Sequence, residues 1–276
     1  MKAVILAAGN GTRMRPLTNN KPKPLLPVAG KPIMEYMIAH LLGAGISDFA
    51  IVTGYLEDKI RDFVTSRFPS LSVTFISNKK HRITNTGYSL LLTRPYVEGS
   101  PFIKCDGDVV FELEVVKKLI NSSVPNALCI DRTIDLAAEE VKVTTGRNGR
   151  VSEVSKKLDP AKAAGESIGI ERLSAESGAV LFKELARLMR DKKNYQEYYD
   201  DSYTTLVQNG VPFYTVDITG LKWVEIDNLS DYAHAQLLFQ KTKKGVWPKL
   251  GSVLKKVGLD PKPLRLSIAD SLLAKK

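Results

Sequence analysis

MKAVILAAGNGTRMRPLTNNKPKPLL, from Met1 to Leu26, is the stretch that decides the fold. Ala3-Val4-Ile5-Leu6 is a short continuous apolar run, the pattern of a strand buried on both faces of a parallel sheet. The run breaks at Ala7-Ala8-Gly9-Asn10-Gly11-Thr12-Arg13, where side chains become small and then cationic. Small side chains let a ligand approach the backbone, and glycine admits dihedrals that turn N–H groups toward an anion. Arg13 and Arg15 bring charge for a polyphosphate, and Lys23 follows on the proline-framed segment Lys21-Pro22-Lys23-Pro24.

Working outward, Ile33, Met37 and Leu41, with Tyr36 beside them, form a helical stripe within Pro32–Ala44, ended by Gly43 and Gly45. Phe49–Val52 reads as a second buried strand, Glu57–Ser66 as a helix and Val73–Ile76 as a third strand. This β-α-β-α-β rhythm predicts an α/β, Rossmann-like, mostly parallel sheet flanked by helices. Ligands of such sheets gather beyond the carboxyl ends of the strands, where the glycine turn lies. Asn78–Ser89 (NKKHRITNTGYS) follows the third strand as a polar, basic loop rich in amide side chains. The next strand, Pro101–Cys105, runs into Asp106-Gly107-Asp108. Two carboxylates at a strand terminus repel each other unless a cation or substrate compensates. Helix capping accounts for one of them, with Asp108 starting a Leu113–Leu119 helix.

Ala127–Asp131 has the pattern of another core strand. Val141–Thr145 and Val151–Val154 alternate around Asn148-Gly149, which predicts an antiparallel hairpin inserted into the parallel rhythm. Lys156 and Lys157 leave that hairpin. Ser174–Arg190 reads as an amphipathic helix with Val180, Leu181, Leu185 and Leu188 toward the core. In Asn194–Tyr203, tyrosines alternate with carboxylates. They either cage an ammonium group, with Tyr199 and Asp200 as contacts, or start a helix whose rings pack on the sheet. Val211–Val216 is a late strand, and Trp223–Asn228 precedes a helix spaced by Leu229, Ala233 and Leu237.

The opening string resembles the signature of nucleotidyltransferases that join an NTP to a sugar phosphate or phosphoalcohol and release pyrophosphate. The resemblance runs from Met1 to about Gln240. It implies that Leu6, Ala7, Ala8, Gly9, Asn10, Gly11, Thr12, Arg13 and Lys23 bind the nucleotide, and that Arg13 and Lys23 are catalytic. Thr84–Leu90 resembles the corresponding segment of cytidylyltransferases acting on phosphocholine, inositol phosphate and related phosphoalcohols, which implies CTP and places Asn85, Thr86, Gly87 and Ser89 near the nucleotide. The glutamine-bearing motif of thymidylyl and uridylyl enzymes is lacking. The resemblance also implies metal ligands at Asp108 and Asp227, with Asp106 as a second candidate in its turn and a further nucleotide contact. Hard oxygen ligands beside a triphosphate suit Mg²⁺. The inserted hairpin corresponds to the acceptor pocket, with Lys156 and Glu166 as acceptor contacts. A sugar-1-phosphate guanylyl- or thymidylyltransferase is the alternative reaction. A non-catalytic nucleotide-sensing or assembly subunit is the alternative class, and retention of Asp108 and Asp227 speaks against it.

Composition sets the remaining bounds. Hydrophobic residues make up 43% and charged residues 25% of the 276, the balance of a globular protein. The start of the chain lacks the basic flank and long apolar core of a signal peptide, so the expected location is cytoplasmic. Cys105 and Cys129 both lie in apolar runs and read as buried thiols. The net charge is +10, which by itself points to an anionic partner such as nucleic acid. However, residues 241–276 carry ten Lys or Arg against Asp260 and Asp270, so the rest of the chain is nearly neutral. Nucleic acid is therefore not expected as a partner. The chain divides into a nucleotidyltransferase domain, 1–244, and a basic helical extension, 245–276. The extension's Leu250, Val253, Leu254 and Val257 fit an amphipathic helix suited to self-association or an anionic membrane.

Overall fold

The computed structural model describes residues 1–240 except 134–135, 137–139, 147–148 and 192–194. Asn148 of the expected hairpin turn and the basic extension 245–276 lie outside the described residues. Strand β1 (Lys2–Ala7) is buried after its first residue. Two single turns of 3-10 helix, Thr12–Met14 and Lys23–Leu25, lead to a small hairpin of β2 (Pro27–Val28) and β3 (Lys31–Pro32). Helix α1 (Ile33–Gly43), β4 (Asp48–Thr53), α2 (Glu57–Arg67) and β5 (Ser72–Ser77) follow, and β1, β4 and β5 pair in parallel. After α3 (Thr86–Leu91) and α4 (Arg94–Val97), β6 (Phe102–Asp106) joins the other side of β1, also in parallel.

The strand direction then changes. β7 (Val109–Phe111), α5 (Leu113–Asn121), β8 (Ala127–Asp131), β9 (Lys142–Thr145) and β10 (Val151–Ser155) lead to the long β11 (Gly165–Leu173). β11 runs antiparallel to β6, β8 and β9, and β9 pairs antiparallel with β10 as the alternating sequence predicts. Helices α6 (Ala175–Asp191) and α7 (Asp200–Gln208), β12 (Tyr214–Asp217), β13 (Trp223–Glu225) and α8 (Leu229–Phe239) complete the order. The sheet reads β10-β9-β11-β6-β1-β4-β5, with β8 between β11 and β12, and β13 pairs separately with β7.

Alternation within β1 divides the core in two. Ala3 and Ile5 face Met34 and Met37 of α1, Ile60 of α2 and Val115 of α5. Val4 and Leu6 face Leu90 of α3, Leu181 of α6 and Tyr203 of α7. Helices thus cover both faces, as the continuous apolar strands require. A third cluster joins Met14, Leu26 and Val28 near the chain start to Ile226, Tyr232 and Ala235 at its far end. There the Tyr232 hydroxyl donates to the Pro27 carbonyl at 2.7 Å and the Ala29 N–H to Gln236 Oε1 at 2.8 Å.

Four local expectations change. Within the polar loop, α3 already begins at Thr86, because the Asn85 side chain accepts the Thr86 N–H and caps it. Asp108 caps nothing: β7 intervenes, and Glu112 stands at the N-terminus of α5. Val180 is 39% exposed, since the face centred on Leu181 and Leu185 leaves the preceding residue about 100° away. The late strand starts only at Tyr214, not Val211. Both cysteines are free and buried.

Gly87, in α3, donates its N–H to the Glu197 carbonyl, and a Cβ there would lie 2.7 Å from that oxygen. Alanine normally stabilises a helix interior by about 1 kcal/mol over glycine. Here the clash reverses the sign, so Gly87→Ala should lower the midpoint of urea unfolding. A raised midpoint would show that α3 and the 195–199 segment are not in contact.

Candidate active site

A cleft of about 590 Å³ opens at the carboxyl ends of β1, β5 and β6. Its floor is the turn after β1. Gly11 has φ +59°, and a Cβ there would sit 3.1 Å from the Thr18 methyl carbon, while the buried Thr18 hydroxyl donates to the Gly11 carbonyl at 2.7 Å. Glycine is therefore required here both by backbone conformation and by packing. Among the described residues, the N–H groups of Gly9, Asn10, Gly11 and Thr12 donate to no other protein group. They are left for an anion.

The structure brings Leu6, Ala7, Ala8, Gly9, Asn10, Gly11, Thr12, Arg13, Lys23, Asn85, Thr86, Ser89 and Asp106 to this cleft, together with Asp108, Asp227, Lys156, Tyr199 and Asp200. Two expected contacts do not line it. Gly87 is packed against the Glu197 carbonyl instead. Glu166 is buried in β11, where Ser167 and Gly169 are the residues that reach the cleft. Alternation along a strand sends Glu166 to the opposite face. Lys157 also stands outside the lining.

The acids converge because two turns are pressed together. The Gly107 N–H donates to the Leu6 carbonyl at 2.9 Å, and a Cβ at Gly107 would lie 2.5 Å from that oxygen. Only glycine lets the turn after β6 sit against the end of β1. The Ile226 N–H then donates to the Asp108 carbonyl at 3.1 Å, joining the segment after β13 to that turn. Asn228 and Asp231 form the capping box of α8, so the Asp227 carboxylate is not used as a cap. Carboxylate oxygens of Asp108, Glu225 and Asp227 all lie within 4.8 Å of one another.

Glu225 is the acid the sequence reading missed. Its signal was Trp223-Val224-Glu225-Ile226-Asp227, in which period-two spacing places both acids on one face. Asp106 is not in this cluster. Its carboxylate accepts from Lys104 at 3.1 Å and from the Tyr199 hydroxyl, on the other side of the turn.

Lys23 lies between the acids, its ammonium 2.7 Å from Asp108 Oδ2 and 3.0 Å from Asp227 Oδ1, and Arg13 approaches Asp227 Oδ2 at 2.8 Å. Burial opposes the Lys23 charge, but Asp108 and Asp227 raise its pKa on balance. Burial also opposes ionisation of Asp227, yet Lys23 and then Arg13 hold its carboxyl below the usual range. Glu225 is pushed well up, first by burial and then by Asp108 and Asp227. The ammonium thus stands where a divalent cation would balance the same oxygens. Three carboxylates are hard donors of the kind Mg²⁺ takes, usually with waters and phosphate oxygens completing its shell.

The two ends of the cleft differ in chemistry. On the β5 side, His81 is wedged against Gly54, where a Cβ would meet the His81 Cβ at 2.8 Å, and its Nδ1 lies 2.9 Å from Asn10 Oδ1. The amide of buried Asn78 donates to the Thr84 and Ser89 hydroxyls, each at 3.0 Å. On the β11 side, Tyr199 and Tyr203 are buried in the core, the packing alternative for this tyrosine-rich segment. Tyr198 is exposed and has the Lys156 ammonium 5.3 Å from its ring centroid. Asp200 is only 8% exposed, and burial pushes its carboxyl up to about 7.

Residues 2–242 match the family model described as Nucleotidyl transferase. The CMP-5'-(3-aminopropyl)phosphonate synthase of Streptomyces rubellomurinus is 28% identical over 256 residues, 88% of this chain but 40% of that protein, so the chain spans less than half of this relative. The CTP:phosphoglutamine cytidylyltransferase of Campylobacter jejuni is 29% identical, with 84% of this chain and 97% of that protein covered. The solved CTP:phosphocholine cytidylyltransferase of Streptococcus pneumoniae superposes with a TM-score of 0.70 at 25% identity, covering 85% of this chain and 97% of its own. With the family match spanning nearly the whole described chain, and the glycine turn, Lys23 and the paired aspartates assembled in one cleft, the protein belongs to the nucleotidyl transferase family.

Proposed function

We propose that the protein is a Mg²⁺-dependent cytidylyltransferase joining CTP to a phosphorylated small alcohol or amine, with release of pyrophosphate. The observation that carries this reading is the convergence of Asp108, Glu225, Asp227 and Lys23 beside the N–H groups of the turn after β1. The choice of CTP draws on the Thr84–Leu90 string and on the CTP-named relatives.

In this reaction an oxygen of the acceptor's phosphate or phosphonate attacks the α-phosphorus. The new P–O bond forms as the bond to the bridging oxygen of the β-phosphate breaks, and pyrophosphate carries that electron pair away. The acceptor oxygen is already anionic near neutral pH, so no protein nucleophile is required. The task of the chain is to bring two anions together and orient them. Backbone N–H groups from Gly9 to Thr12, with Arg13, hold the β- and γ-phosphates. Lys23 turns from the carboxylates to the α-phosphate and the incoming acceptor. Asp108 and Asp227 would hold a Mg²⁺, which would supply positive charge to polarise the α-phosphoryl group. The β5 side, with His81, Asn85 and Thr86, receives the nucleoside. The β11 side, with Lys156, Tyr199 and Asp200, receives the acceptor, where the Asp200 carboxyl suits a donor or cationic group.

A pyrophosphate-release assay over four NTPs and a panel of phosphorylated alcohols, amines and sugars tests the reading. CTP should be preferred, and clear preference for GTP or dTTP with a sugar 1-phosphate would move the protein to the sugar-nucleotide reaction. Asp108→Asn and Asp227→Asn should each lower kcat by at least about a hundredfold, the scale of losing a preorganised electrostatic contact. Wild-type turnover in either folded variant would remove that residue from the site.

Asp200 gives a pH signature. Its folded pKa is raised from 3.8 to about 7, so folding favours the protonated form, and this group's contribution to stability declines as pH rises through that interval. Asp200→Asn should therefore gain more stability over wild type near pH 8 than near pH 4 in urea unfolding of the ligand-free chain. Equal effects at both pH values would mean the carboxyl is not held in a low-dielectric wall.

A further inference from the structure

Behind the β11 side of the cleft lies a buried cation that the reaction just described does not use. Lys104 is fully buried on β6, on the strand face that also carries Phe102 before it and Asp106 after it, with Leu173 of β11 in the same core cluster as Phe102. Directly across the antiparallel pairing stands Glu171, also fully buried, 2.7 Å from the Lys104 ammonium. The same ammonium is 3.1 Å from Asp106 Oδ2 and 3.2 Å from the Gly169 carbonyl, and it contacts the Tyr199 hydroxyl. That hydroxyl in turn donates to Asp106 Oδ2. Gly169 has φ +71°, and a Cβ there would lie 2.5 Å from the Asp106 carboxylate, so the absent side chain is what lets Asp106 lean on β11.

Stability does not call for this arrangement. Replacing a buried ion pair with apolar residues of similar volume is commonly neutral or stabilising, because desolvation of two charges offsets their attraction. At a core position flanked by Phe102, the default occupant is apolar. What the pair does provide is a fixed position for two polar groups that line the cleft, Asp106 and Tyr199. Without the ammonium the Asp106 carboxylate would lose its cation, and the Tyr199 hydroxyl would lose the partner shared with that carboxylate.

We propose that Lys104 and Glu171 are positioning residues: the buried ammonium, balanced by Glu171, holds the Asp106 carboxylate and the Tyr199 hydroxyl as an acceptor-reading surface. This rests on the assignment of the β11 side to the acceptor. Asp106 thereby reads the hydrogen-bond-donating end of the acceptor, the end remote from its phosphate, and stands apart from the metal carboxylates. The carboxyl groups of Asp106, Glu171 and Asp200 outweigh the burial of Lys104 and raise its pKa, so the ammonium stays charged. The wall therefore keeps its cation throughout the neutral range.

The test uses the full chain with Lys104→Met and Glu171→Leu combined, so that Glu171 is not left behind as an unpaired charge in the core. The expected result is a folded protein by circular dichroism, a KM for CTP within about twofold of wild type, and a KM for the acceptor raised at least tenfold. Unchanged acceptor kinetics in the folded variant would make the pair merely structural and overturn the inference. Should the double variant fail to fold, Tyr199→Phe, which keeps the ring and removes only the hydroxyl, must raise the acceptor KM without moving that of CTP. No shift overturns the proposal equally. A crystal structure of the folded Lys104→Met, Glu171→Leu variant separates this inference from the reading of the reaction. Asp106 should leave its place against Gly169 whichever substrates are turned over, and an Asp106 carboxylate unmoved from the wild-type position refutes the positioning role. Absence of turnover in the wild type with every acceptor refutes the reaction instead.

Discussion

The site depends on a repulsion that the chain has to contain. Asp108, Glu225 and Asp227 bring three carboxyl groups within 4.8 Å. Two unit charges about 4 Å apart repel by about 4 kcal/mol at an effective dielectric of about 20, a large share of a typical folding free energy of roughly 5–15 kcal/mol. Lys23 and Arg13 answer that charge from the loop after β1, whereas the acids come from the turn after β6 and from beyond β13. The attraction that makes the cluster tolerable is therefore also what ties the first turn of the protein to its last strand. It leaves the acids gathered and ready for a divalent cation, with the lysine that compensates them standing within reach of the same space.

Much of this was legible in the sequence because it was local. The apolar runs at Ala3–Leu6 and Phe49–Val52 are strands, the Ile33–Leu41 stripe is a helix, and the alternation around Asn148-Gly149 is two antiparallel strands. The small-residue string from Ala7 to Arg13 marked the floor of the cleft for the same reason: its constraint is steric and acts over a few residues. What escaped was set by tertiary contact. Glu225 becomes a third acid only because Ile226 bonds the Asp108 carbonyl. Glu166 faces away because β11 alternates about Ser167 and Gly169, a phase that composition does not reveal. Gly87 looked like a ligand contact and is instead a site of close approach by Glu197. The tyrosine-rich segment read two ways, and its residues divide between them: Tyr203 packs in the core, while Tyr199 and Asp200, though buried, line the cleft.

The sheet divides the labour. β1, β4, β5 and β6 run in parallel and place the glycine turn, His81 and the first acid at one edge of the molecule. β11 enters against β6 in the opposite direction and brings Ser167 and Gly169 to the same cleft. The boundary between the halves runs through the end of β6 and the turn that follows it: Asp106 leans toward Gly169 of β11, and Asp108 turns toward Lys23. A two-residue step along the backbone thus separates two different electrostatic neighbourhoods.

The clasp between α8 and the segment from Pro27 to Ala29 bears on how such a molecule comes into being on the ribosome. A growing chain can pair β1 with β4 and β6, and β4 with β5, as soon as those strands have emerged, since these three pairings lie within its first half. At that stage the loop carrying Lys23 still lacks Tyr232 and Gln236, the side chains that later fasten it through Pro27 and Ala29. Asp227 is missing as well. The nascent protein therefore passes through a stage with most of its parallel sheet and an unfinished pocket, and the pocket is complete only once α8 has joined.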